Sequence, residues 1–167
     1  MTRLTHIASL FSLLFVLLLG TASCGDNSCY DNGNSLPLAT FYVGNSQQTV
    51  SGLTIMGIGV PGDSLLADSS SLKEIYLPLR TSVTTTAYKV SRWITIGDTK
   101  AQTIDTITFD YQPIEFFHSI ECGTMFNFDI KRLIYTTNGI DSVVLLTPLV
   151  TNSPTPALRI HFTNFNL

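Results

Sequence analysis

The chain has 167 residues, of which 44% are hydrophobic and 13% charged, and twelve Asp and Glu against nine Lys and Arg give a formal net charge of −3. That length suits one domain around a single core. A mildly acidic chain without a basic run argues against nucleic acid as a partner and against electrostatic capture by anionic lipid, because both need clustered Lys or Arg.

The first element is an export signal. Arg3 lies near the amino terminus, an apolar run follows from Leu10 to Leu19, and Gly20, Thr21, Ala22 and Ser23 supply small residues before Cys24. A positive end, an apolar stretch too short to span a bilayer and a small-residue cleavage region come in the order of a secretory signal peptide. Thr21-Ala22-Ser23-Cys24 resembles the bacterial lipobox, although Thr21 stands where that motif usually carries an aliphatic residue. The resemblance implies that residues 1–23 are a lipoprotein signal peptide. It also implies that Cys24 is thioether-linked to diacylglycerol and becomes the first residue of the mature chain. Cleavage as an ordinary secretory protein is the alternative. Each buried methylene contributes about 0.8 kcal/mol, so two or three acyl chains hold a protein on a membrane persistently.

Residues 24–36 read as a lipidated tether, because Gly25 to Ser35 are small, polar or turn-forming. Asp26, Asn27, Asp31, Asn32 and Gly33 lie in it, but the spacing of a calcium-binding loop is missing, and no metal site is expected. With Cys24 acylated, Cys29 and Cys122 remain as a pair suited to a disulfide in an oxidising compartment. Such a bridge closes a loop of roughly 90 residues, worth on the order of 4 to 5 kcal/mol in the chain-entropy account. The alternative is two separate thiols, with Cys122 packed as a small hydrophobe.

From Pro37 the hydrophobic period is two. Phe41 and Val43 alternate with Thr40 and Tyr42, and Gly52 to Val60 is apolar enough for a buried strand ended by Pro61-Gly62-Asp63. Ile75, Leu77 and Leu79 share a face, while Pro78 marks an edge or an irregularity. The runs Thr84–Val90 and Trp93–Ile96 are expected to flank a bend. Ile107, Phe109 and Tyr111, then Phe126, Phe128 and Ile130, then Leu158, Ile160 and Phe162 each alternate with polar residues, as half-buried strands do. Asn138-Gly139 between two apolar runs is a two-residue hairpin signal. No long 3.6-residue period follows Cys24. Residues 37–167 are therefore expected to form one all-β domain, an immunoglobulin-like antiparallel β-sandwich, with a jelly roll or partly closed barrel as the second choice.

The mature chain resembles small lipoproteins of unknown function from Bacteroides-type Gram-negative bacteria. The residues that carry the likeness are the Cys24 to Cys29 opening, Ile75-Tyr-Leu-Pro-Leu79, Phe109-Asp-Tyr111 with Phe116-Phe-His-Ser-Ile-Glu-Cys-Gly123, and Gly139-Ile-Asp-Ser-Val143. The likeness implies an envelope lipoprotein and carries over no catalytic residue.

His118, Ser119 and Glu121 invite a nucleophile-and-base reading, but on a strand His118 faces away from Ser119 and Glu121. An approach of His161 from the last strand would add a second histidine, yet two histidines without ligand spacing are weak support for a metal. No phosphate-binding, zinc or dinucleotide motif is present, so no cofactor and no catalytic residue is expected. Trp93, Tyr88 and Tyr111 could form an aromatic platform for a sugar ring, which makes glycan binding the alternative function. The expected function is that of a non-enzymatic outer-membrane lipoprotein, on the periplasmic or cell-surface face. It binds another envelope protein, conceivably as an accessory subunit of an outer-membrane β-barrel complex. The Pro78 segment and the Thr84–Val90 strand are the expected contact lines, since unpaired edges pair readily.

Overall fold

The computed structural model describes residues 35–59, 64–120 and 122–165. All of them belong to the second of two compact units, Asn32–Leu167. Cys24, Cys29, Glu121 and the acidic residues of the tether lie outside the described residues. Among those described there is no helix, and eleven strands alternate with turns. They are β1 (Leu38–Val43), β2 (Ser46–Gln47), β3 (Val50–Ile58), β4 (Leu65–Leu72), β5 (Glu74–Tyr76), β6 (Thr85–Ile96), β7 (Thr99–Ser119), β8 (Gly123–Tyr135), β9 (Ile140–Leu145), β10 (Leu149–Val150) and β11 (Pro156–Phe162).

Two sheets result. The smaller runs β2-β1-β11-β9 with β5 also on β1, and the larger runs β10-β8-β7-β6-β3-β4. The all-β sandwich expected from the period-two pattern is therefore the observed architecture. One pair departs from the antiparallel rule: β1 lies parallel to β11, from Leu38 beside Pro156 to Val43 beside Phe162. A parallel pair needs a long crossover, and here nearly the whole domain supplies it. Side chains from both sheets meet between them. Phe41 and Phe162 pack edge to face with centroids 5.4 Å apart, and so do Tyr111 and Phe128 at 5.4 Å and Tyr88 and Phe109 at 6.1 Å. Ile107, Leu53, Leu158 and Ile160 fill the spaces around them, and full burial of each such side chain contributes about 1.5–3 kcal/mol.

Two local expectations are corrected. Thr84–Val90 and Trp93–Ile96 do not flank a bend. They form the single strand β6, in unbroken register with β7 from Thr85 beside Asp110 to Ile96 beside Thr99. Ser91 and Arg92 imitate a turn in the sequence, but both find long-range acceptors inside a strand, although Arg92 Nε is buried without one. Ser91 Oγ donates to the Thr54 carbonyl at 3.4 Å, and Arg92 Nη1 donates to the Thr163 carbonyl at 3.2 Å. Because β6 lies between β3 and β7, it offers no free edge.

Pro78 does mark an irregularity at an edge: among the described strands β5 pairs with β1 alone. Strand β5 stops at Tyr76, Leu77 and Leu79 are buried, and the backbone that follows is tied down by two core tyrosines. The Tyr88 hydroxyl donates to the Pro78 carbonyl, and the Tyr111 hydroxyl accepts from Arg80 N at 3.0 Å and donates to the Arg80 carbonyl at 2.8 Å.

Asn138-Gly139, finally, is no hairpin turn. Strand β8 belongs to the larger sheet and β9 to the smaller, so the chain arches from one sheet to the other. Asp105, buried in the middle of β7, is the reason. Its Oδ1 accepts from Thr136 Oγ1 at 2.8 Å and Asn138 N at 2.7 Å, and its Oδ2 accepts from Gly139 N at 2.7 Å and Ile140 N at 3.0 Å. Gly139 comes so close to β7 that a Cβ there would lie 2.3 Å from Thr103 Oγ1. A carboxylate that takes three successive backbone N–H groups leaves them nothing to give to a neighbouring strand.

Candidate docking site

Strand β7 is long because it does two jobs. Its first half, to Asp110, pairs with β6, and from Ile107 onward it pairs with β8. Past Asp110 it loses β6 and continues with β8 as a two-stranded arm, from Ile114 opposite Asn127 to Ser119 opposite Gly123. The alternation of the body fails there. In the body the inward residues of β7 are Asp105, Ile107, Phe109 and Tyr111, all buried. In the arm Ile114 is 39% exposed, Phe117 67%, and Ile120 at the tip 89%. Phe116 and Met125 face each other across the ladder and are the covered pair of the arm. Residues 113–127 include no Lys or Arg.

Ser35, the first described residue, is held at the base of this arm. It is buried and donates its hydroxyl to Asn127 Oδ1 at 2.8 Å. Cys122 lies at the tip, where its backbone N–H donates to Ser119 Oγ at 3.1 Å, and it is engaged beyond that bond.

The sheet edges differ in openness. Strand β4 closes one end of the larger sheet with three register irregularities against β3 and a left-handed Ser69 at φ 44°. Bulges of this kind twist an edge away from further pairing. Strand β9 closes the smaller sheet and, among the described strands, pairs with β11 alone. Its outward Val144 is exposed, as are Leu146 in the connection that follows and Leu149 at the start of β10 in the larger sheet.

The sequence-derived candidates are scattered. Tyr88 and Tyr111 are buried in the core and Trp93 is 52% exposed, so the aromatic platform does not assemble. Tyr88 and Trp93 are five positions apart on one continuous strand and thus point to opposite faces. Burial, with Tyr111 close by, pushes the Tyr88 hydroxyl well above the ordinary tyrosine range, as befits a donor held in a core.

His118 is exposed on β7, with its ring edge-on to Phe116 at 6.1 Å. His161 is on β11 in the other sheet, stacked on Tyr42 at 5.1 Å with Nδ1 3.1 Å from the Gly44 carbonyl. Among the described residues no three His, Cys, Asp or Glu side chains converge.

Two important features escaped sequence reasoning. Asp105 was legible only through its parity with Ile107, Phe109 and Tyr111, which places a carboxylate on a buried face. The arm was signalled by Phe116-Phe117, adjacent aromatics that a strand must send to opposite sides, so that one face cannot bury both.

A family model described as a family of unknown function, DUF6452, matches residues 52–162, which includes the arm, Asp105 and β9. No curated protein and no solved structure matches the chain.

Proposed function

We propose, since the chain belongs to the DUF6452 family and that family has no assigned function, that it is a non-enzymatic outer-membrane lipoprotein of a Bacteroides-type envelope. Acyl chains on Cys24 anchor it, and the sandwich docks on another envelope protein. The observation that carries docking is the side of β9 that no described strand pairs, with exposed Val144 and Leu146 beside it, because an open edge with apolar neighbours accepts a partner strand or loop. A β-barrel of the outer membrane is the partner class that presents strands at its rim. The lipobox-like Thr21–Cys24 supports the anchor. Cys122 at the arm tip lies roughly 17 Å along the strand from Asn127, where Ser35 is held, a gap that the six positions from Cys29 to Ser35 can span, and this supports a Cys29–Cys122 bridge.

One preparation tests the reading. The protein is purified in detergent from its own envelope with a photo-crosslinking side chain at position 144. Intact mass should show acyl groups on Cys24 and two cysteines that resist alkylation without reductant, and the crosslink should capture one barrel protein reproducibly. A lone monomer without acyl mass and without a barrel adduct overturns the proposal.

A further inference from the structure

We propose that the arm is a second membrane contact: Phe117 and Ile120, with Ile114 behind them, enter the interfacial region of the bilayer that holds the acyl chains. This rests on the lipoprotein reading of Cys24. Three observations lead to it.

The first is the exposure of large apolar side chains at the end of a rigid two-stranded element. Their alternation shows no second sheet to cover them, whereas the same strands bury their apolar residues a few positions earlier. Phe117 and Ile120 are the most exposed large hydrophobic side chains among the described residues, and an apolar tip of this kind marks a contact with something outside the fold.

The second is the place where the chain enters. Ser35 is fixed to Asn127 of the arm, and Cys24 precedes it by eleven positions, so the acylated residue is held within about 40 Å of Asn127 even when the tether is fully extended. Ile120 lies roughly 20 Å from Asn127 along the strands. The arm therefore lies within reach of the lipid. The proposed Cys29–Cys122 bridge shortens the leash further, because five positions from Cys24 to Cys29 span at most about 18 Å.

The third is charge. Residues 113–127 hold no Lys or Arg but do hold Glu115 and Glu121, so the contact gains nothing from anionic lipid and must be apolar. Its chemistry is that of an aromatic and an aliphatic side chain at the headgroup boundary, where large apolar groups partition.

The test uses the acylated full-length mature protein in vesicles of phosphatidylethanolamine and phosphatidylglycerol that contain brominated lipid. The native chain has one tryptophan, Trp93, which sits opposite Gln102 of β7, roughly 50 Å along that strand from Phe117, and serves as the control. In a Trp93→Phe background, Phe117→Trp and, separately, Ile120→Trp place the indole in the arm.

The proposal requires blue-shifted arm emission that bromine near the headgroups quenches. It also requires the same signal in zwitterionic phosphatidylcholine vesicles, and no quenching of Trp93 in the native protein. Acyl groups present by intact mass, together with unquenched, water-exposed emission from both arm positions, overturns the arm contact and leaves the lipoprotein reading standing. Absence of acyl mass removes the lipoprotein reading and the arm contact with it. Quenching that requires anionic lipid overturns the apolar mode.

Discussion

Strands β7 and β8 run through two regions of this molecule that follow opposite rules. In the body a second sheet lies over them, and the inward positions Ile107, Phe109, Tyr111, Phe128 and Ile130 are buried while their neighbours stay polar. In the arm the same two strands keep their ladder, with Ile114 opposite Asn127 and Phe117 opposite Thr124, but leave large apolar groups in water. A ladder fixes backbone geometry alone, and a covering layer is what makes apolar side chains stabilising. The body buries the inward side of its strands under its own second sheet, whereas among the described residues the arm has no such cover.

Breaking the body where its two sheets are joined should have the largest effect. Asp105→Ala leaves the N–H groups of Asn138, Gly139 and Ile140 without their acceptor in a buried site, at an expected cost of about 3–5 kcal/mol by denaturant unfolding. A cost below about 1 kcal/mol would show that the arch between the sheets holds without that carboxylate.

Gly139→Ala tests the same junction from the other side and should have a middling effect. The added methyl would lie 2.3 Å from Thr103 Oγ1 and 2.7 Å from Thr103 Cβ, so backbone or side chain must move, at about 1–3 kcal/mol. Part of the loss should return in a Thr103→Ala background, which removes the Oγ1 contact. An Ala variant as stable as the native protein would mean that β7 and the arch are less closely apposed than described.

The contrast between the regions also separates what sequence shows from what it hides. Period-two alternation identifies a strand and its buried face, and it did so for Ile107–Tyr111 and for Leu158–Phe162, both of which lie in the core. It does not say which sheet a strand joins. Asn138-Gly139 has local hairpin chemistry, but its backbone groups go to Asp105, more than thirty residues earlier in the chain. A partner that distant leaves no trace in a short window.

The polar pair Ser91-Arg92 misled in the same way, since its acceptors are the distant carbonyls of Thr54 and Thr163. Once β6 is read as one strand, parity alone separates Tyr88 from Trp93. The arm was half legible: its apolar content was plain, but only the lengths of β6 and β7 decide that nothing covers it.

The smallest expected effect gives the sharpest test of the contrast. The double variant Phe117→Ser, Ile120→Ser removes two large apolar side chains, a change that in the core would cost several kcal/mol. Equilibrium unfolding of this variant in detergent-free solution is predicted to match the native protein within about 0.5 kcal/mol, as for surface positions without structural partners. A loss of about 2 kcal/mol or more would mean that the arm packs into the body after all, and would contradict the account of it as a surface made for something beyond the fold.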